Sequence, residues 1–155
     1  MSMDSLQTKE VRLEQLMPLI RERLSEGKTV RLFPNGISML PMLRQGIDSV
    51  QLSPLPEKLK KYDLPLYQRD NGQYVLHRIV KVGKSYTCIG DNQFSFEREI
   101  RHDQMIALVT SFNRNNREIS VNCISYQVYC RFWHYSRPIR YVFRTAFNRI
   151  RRLFQ

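Results

Sequence analysis

Cysteine is scarce: Cys88, Cys123 and Cys130 are the only three in 155 residues. Their number is odd and their spacing fits no metal-ligand pattern, which argues against a disulfide-stapled scaffold and against a metal centre. They read as reduced, small apolar residues of an intracellular protein; a Cys123–Cys130 disulfide is disfavoured. Long apolar runs are absent too. None approaches the roughly 18–20 residues that span a bilayer. Residues Met1 to Glu10 are polar and carry two acids, unlike a secretory signal. Acid is missing from one end of the chain, since the last acidic residue is Glu118.

What is present suits one folded domain. Hydrophobic residues make up 42 %, too many for wholesale disorder. The net charge is +11, of which the seven arginines beyond Glu118 supply +7. Most of the excess is therefore a property of the tail, and it points to an anionic partner, either a lipid surface or a nucleic acid.

Leu6 to Glu26 predicts an amphipathic helix, with Leu13, Leu16, Met17, Ile20 and Leu24 at spacings of three and four. Gly27 stops it. Pro18 either kinks this helix or marks its first turn. After Gly27 the texture becomes β. Strands are expected at Thr29–Phe33, Asp48–Leu52, Leu64–Arg69, Gln73–Val82, Ser85–Ile89, Met105–Asn113 and Arg117–Cys123. Asp70-Asn71-Gly72 and Asn115-Asn116 read as hairpin turns because Asn and Gly tolerate positive φ. From Ile124 the texture is helical again. Ile139, Val142, Phe143, Ala146, Phe147, Ile150, Leu153 and Phe154 mark one helix face. The expected organisation is an N-terminal helix over 1–27, a β domain over 28–123 and a basic amphipathic helical tail over 124–155.

Three local features bear on chemistry. In Gly36-Ile37-Ser38-Met39-Leu40-Pro41 a serine follows a turn glycine, a setting that exposes the hydroxyl and leaves nearby N–H groups for an oxyanion. Taken alone it is more often a capping or turn serine. His77, in Leu76-His77-Arg78-Ile79, shares a strand face with Val75 and Ile79. Apolar neighbours favour the neutral imidazole, which can take a proton from a serine hydroxyl. Taken alone it is more often structural. Gly90-Asp91-Asn92 is by itself a turn.

Together, in order and with Gly46 and Asp48 between them, these boxes resemble those of the signal peptidase I and LexA-like serine peptidases, over roughly Val30 to Val109. His77-Arg78-Ile79 resembles the branch that uses histidine as general base. The resemblance implies a mainly β fold, the antiparallel catalytic domain of that family, carrying the N-terminal helix and the basic tail. It implies that Ser38 is the nucleophile and His77 the base. Gly36, Met39 and Pro41 would line the substrate site, and the Ser38 N–H would donate to the oxyanion. Neither cofactor nor metal is expected.

The branch usually has two acids a few positions after Gly-Asp-Asn, where this chain has Phe96 and Glu97. Asp91, Glu97, Glu99 and Asp103 are all candidates for orienting His77, with Asp91 first for its place in the box and Glu97 second. Tyr62 and Ala107 stand where the family commonly has glycine; Tyr62 there threatens a tight turn. The transmembrane anchor of signal peptidases and the helix-turn-helix of the LexA-like repressors are not recognisable, and no Ala-Gly dipeptide offers self-cleavage. The expected activity is thus a serine endopeptidase cutting a precursor or leader peptide. The alternative is an inactive peptide-binding or membrane-docking module on the same fold.

Three readings compete for the tail. Its apolar stripe packs on the β core, or it docks a partner protein or second copy, or it lies on an anionic membrane with Trp133, Arg140, Arg144 and Arg151 in contact. The first and the last carry similar weight. Nucleic acid is disfavoured because no reading module accompanies the arginines. The expected location is cytoplasmic, with peripheral membrane association through the tail.

Overall fold

The computed structural model describes residues 13–153. Helix α1 (Leu13–Ser25) runs through Pro18 and buries Met17, Ile20 and Leu24. It ends at Gly27, whose φ of 75° lets Gly27 and Lys28 cap the carbonyls of Leu24 and Arg23. Residues 6–12 of the expected helix lie outside the described residues.

Nine strands follow: β1 (Val30–Leu32), β2 (Ser49–Pro54), β3 (Pro65–Gln68), β4 (Tyr74–Leu76), β5 (Arg78–Val82), β6 (Tyr86–Ile89), β7 (Glu97–Ile100), β8 (Met105–Arg114) and β9 (Arg117–Ser120). Two helices, α2 (Ile124–Tyr135) and α3 (Arg137–Leu153), close the described chain. All strand pairs are antiparallel. One sheet runs β1-β2-β8-β3-β4 with β9 also on β8; the other runs β5-β6-β7. The architecture is mixed α/β, built on antiparallel sheets with three helices among the described residues.

Alternation along the strands divides the interior in two. Leu66 joins a core cluster with Leu52, Val109 and the α1 residues, while neighbouring Tyr67 faces a second cluster with Ile79, Cys88 and Ile100. The α2 residues Tyr126 and Cys130 belong to the first cluster, so this helix is part of the folded core. Each fully buried Leu or Ile contributes about 1.5–3 kcal/mol. The β8–β9 hairpin turns at Asn115 and Asn116, with φ of 53° and 59°, as the sequence predicts. All three cysteines are free.

Several expectations change. The single strand Gln73–Val82 is two: the chain leaves the first sheet after Leu76 and enters the second at Arg78. His77 sits on that crossover, so it does not simply share a strand face with Val75 and Ile79. Strand β7 was not expected, because Glu97-Arg98-Glu99 lacks a strand's apolar alternation. Tyr62 keeps the tight turn that glycine would serve, with a φ of 77° and its N–H on the Ile79 carbonyl at 2.8 Å.

The tail is turned the other way from the core-packing reading. Ile139, Val142, Phe143, Phe147 and Ile150 are 54–71 % exposed. The Leu153 side chain and Phe154, which continue the spacing, lie outside the described residues. No described helix is long and apolar enough to cross a membrane.

Candidate active site

Ser38 stands on the loop between β1 and β2, two residues after Gly36, whose φ of 93° turns the chain there. This loop is fixed from the Gly90-Asp91-Asn92 segment. Asn92 N–H donates to the Ser38 carbonyl at 2.8 Å, and the Asn92 side chain donates to the Ile37 carbonyl at 3.2 Å. Gly90 must be glycine for this approach: a Cβ there would lie 2.6 Å from the Ser38 carbonyl oxygen.

Ser38 and His77 line one cleft of about 230 Å³, together with Gly36, Met39, Leu43 and Gln93. Pro41 is exposed and stands outside that lining, so its expected role in the substrate site is not supported. Arg69 and Gln93 also border a larger cavity of about 770 Å³, whose far wall is Tyr141, Arg144 and Asn148 of α3. The two cavities thus adjoin at shared residues.

The imidazole of His77 is 1 % exposed as a residue. Its Nδ1 lies 3.0 Å from Glu97 Oε1 and 3.3 Å from the Tyr67 hydroxyl. Tyr67 donates to Glu97 Oε2 at 2.8 Å, and Arg69 Nε donates to the same oxygen at 2.9 Å. A second Arg69 nitrogen bonds Oε1. Burial alone would raise the Glu97 pKa, but the bonds from His77, Arg69 and Tyr67 outweigh it and hold the carboxyl well below the usual range. Burial pushes the Tyr67 phenol well above its ordinary value, so it remains a donor. Glu97 therefore fixes Nδ1 as the protonated nitrogen. Nε2 makes no hydrogen bond among the described residues, and His77 lines the cleft.

Asp91 does not orient His77. Its carboxylate is gripped by Arg78, Nε to Oδ1 at 2.9 Å and Nη2 to Oδ2 at 2.8 Å, and accepts from Tyr129 at 3.0 Å. Arg78 and Asp91 are each 1 % exposed. Arg78 also donates to the Tyr126 hydroxyl and Cys130 Sγ on α2 and to Met42 Sδ on the serine loop. Burial opposes the Arg78 charge, but the Asp91 carboxylate more than compensates and raises the guanidinium pKa. The residue after the histidine captures the box aspartate and ties the serine loop, the Gly90 turn and α2 together.

Trp133, Arg140 and Arg144, expected at a membrane, also meet the domain. Trp133 Nε1 donates to the Asp91 carbonyl at 2.7 Å, and the Arg140 guanidinium lies 3.8 Å from the Trp133 ring centroid. Arg144 rests 5.3 Å from the Phe94 ring centroid. These contacts tie the tail to the domain, although Arg144 is itself exposed; Arg151 is exposed without such a contact. Sequence reasoning missed Tyr67, Arg69 and Gln93, none of which belongs to a recognisable box. Among the described residues no group of three His, Cys, Asp or Glu side chains gathers to hold a metal ion.

The Ser38 hydroxyl makes no protein hydrogen bond among the described residues, and neither does its backbone N–H. Both are free to meet a bound group. No family model matches this chain, and neither the curated proteins nor the solved structures contain a match.

Proposed function

We propose that this chain is a serine endopeptidase of the signal peptidase I-like type, acting on a precursor or leader peptide. The observation that carries the proposal is the convergence of Ser38 and a buried, carboxylate-held His77 on one cleft. Serine is a poor nucleophile without a base beside it. A histidine whose Nδ1 is fixed by a carboxylate presents a basic Nε2 and is stabilised when it becomes imidazolium. The antiparallel sheets and the ordered boxes support the family resemblance; Arg78 at the start of β5 and the Gly90 turn give two of those boxes a physical task.

In this reading Ser38 Oγ attacks the scissile carbonyl carbon while its proton passes to His77 Nε2. The Ser38 N–H, free of other acceptors, donates to the oxyanion. Collapse of the adduct breaks the C–N bond, and His77 returns the proton to the leaving amine. Water then hydrolyses the acyl-serine by the same base. The hydrogen bond between Ser38 and His77, not made in this structure, forms in this reading when substrate occupies the cleft, since catalytic hydrogen bonds are commonly long without it. A peptide would lie along the two adjoining cavities, which suits an extended segment better than a small metabolite.

A fluorophosphonate probe tests the nucleophile without knowledge of the substrate. It should modify Ser38, as mapped by peptide mass spectrometry, and His77→Ala should abolish that labelling. Labelling of other serines only, or labelling of Ser38 that His77→Ala leaves unchanged, would count against an activated nucleophile.

A further inference from the structure

An ordinary surface helix turns its apolar stripe inward and its charges to water. Here α3 does the reverse. Its inner face is held by arginines on aromatic rings: Arg137 on Phe96, Arg140 on Trp133 and Arg144 on Phe94. Its outer face is the exposed stripe Ile139, Val142, Phe143, Phe147 and Ile150. Helix α2 adds Ile124, Val128, Phe132 and Tyr135, exposed by 59–82 %.

The two sets form one surface in sequence register. Spacings of three and four run from Ile124 through Tyr135 to Ile150 without a slip. The backbone bonds Ser136 N–H to Phe132 O and Arg140 N–H to Ser136 O keep helical phase across the junction. Residues 119–155 contain no acid, and Arg149 and Arg151 stand exposed beside the stripe, with Arg152 exposed farther round the helix.

We infer that the outer face of α2 and α3 is a docking surface for an anionic lipid bilayer. The apolar stripe with interspersed phenylalanines would enter the boundary between headgroups and acyl chains, and the flanking arginines would meet lipid phosphates. Charge selects this occupant over a second copy of the chain. Two tails in contact would bring like charges together with no carboxylate in either to offset them. Proteins rarely leave so large an apolar face to water unless something covers it. The residues that meet lipid are thus Val142, Phe143, Phe147 and their neighbours, while Trp133 and Arg140 hold the helices to the domain on the other side.

Co-sedimentation of the full chain with phosphatidylcholine vesicles, with and without phosphatidylglycerol, tests this. The protein should bind the anionic vesicles, and binding should weaken as salt rises. The Val142→Ser, Phe143→Ser, Phe147→Ser variant should bind about tenfold or more weakly, since three apolar side chains no longer enter the lipid. Because the substituted residues are exposed, circular dichroism should be unchanged. Replacing Arg149, Arg151 and Arg152 with Gln should remove the preference for phosphatidylglycerol. Absence of binding, or binding that the serine variant retains, would overturn the inference. So would a dimer in sedimentation velocity that the serine variant dissolves while vesicles are ignored; that result would give the face to a second copy.

Discussion

Two carboxylates near the site divide the work that one was expected to do. Asp91 lies buried against Arg78 and is structural; Glu97 meets His77. Asp91→Asn leaves the Arg78 guanidinium poorly matched in a dry site, so it should cost about 3–5 kcal/mol of stability, read as a lowered urea midpoint. Glu97→Gln should cost far less stability but lower turnover by at least about tenfold, because the imidazolium loses its carboxylate. The pair of variants separates the two roles: a larger stability loss for Glu97→Gln than for Asp91→Asn would contradict them. Because the Glu97 carboxyl is held below its usual range in the folded protein, the stability it contributes is full above the unfolded value of about 4.3 and fades as pH falls below it. Urea titrations from neutral to acid pH should show that fading in the wild type and less of it in Glu97→Gln. The sequence left Asp91 and Glu97 both open. Position in a box cannot say where a carboxylate points, and Arg78, adjacent to the histidine, lies within reach of Asp91 only once β5 and the Gly90 turn are packed.

At the scale of elements, the site is a meeting of two loops and a crossover. His77 occupies the one unpaired residue between β4 and β5, where the chain changes sheets. The Ser38 loop is held by the Gly90 turn through backbone bonds, and that turn is held by α2 through Trp133 and Tyr129. Gly90→Ala should therefore act on Ser38 at a distance in sequence. Its Cβ meets the Ser38 carbonyl, so the serine loop must shift, and fluorophosphonate labelling of Ser38 should slow markedly while the circular dichroism spectrum persists. Unchanged labelling would mean that the turn does not position the serine. Most strands and both Asn-containing hairpins were legible because alternation and turn residues are local signals. The crossover at His77 was not, since both halves of Gln73–Val82 read as strand and only tertiary pairing decides which sheet each joins. Strand β7 was hidden by its charges, one of which, Glu97, is placed by Arg69 and His77 rather than by burial.

Over the whole molecule, the acid-free tail also carries most of the large exposed apolar residues. Periodicity identified the tail's apolar stripe correctly, but periodicity states which residues share a face and not what covers it. Three of the tail's arginines, Arg137, Arg140 and Arg144, meet aromatic rings and attach α3 to the domain. The cavity adjoining the Ser38–His77 cleft is bounded on its far side by the same helix, so attachment of the tail and shape of the proposed substrate path are linked. Truncation after Ser136 should accordingly open that cavity and alter cleavage preference, whereas the serine substitutions on the outer stripe should leave it unchanged; a peptide-library comparison of the two variants distinguishes them.

The most direct measurement is proteolysis itself. The full chain is incubated with a proteome-derived peptide library, and new N-termini are read by mass spectrometry. Wild-type protein should generate a consistent set of cleavages that disappear in both Ser38→Ala and His77→Ala, with each variant folded by circular dichroism. Cleavages that persist in Ser38→Ala, or a folded wild-type protein that generates none, would contradict a Ser38–His77 peptidase.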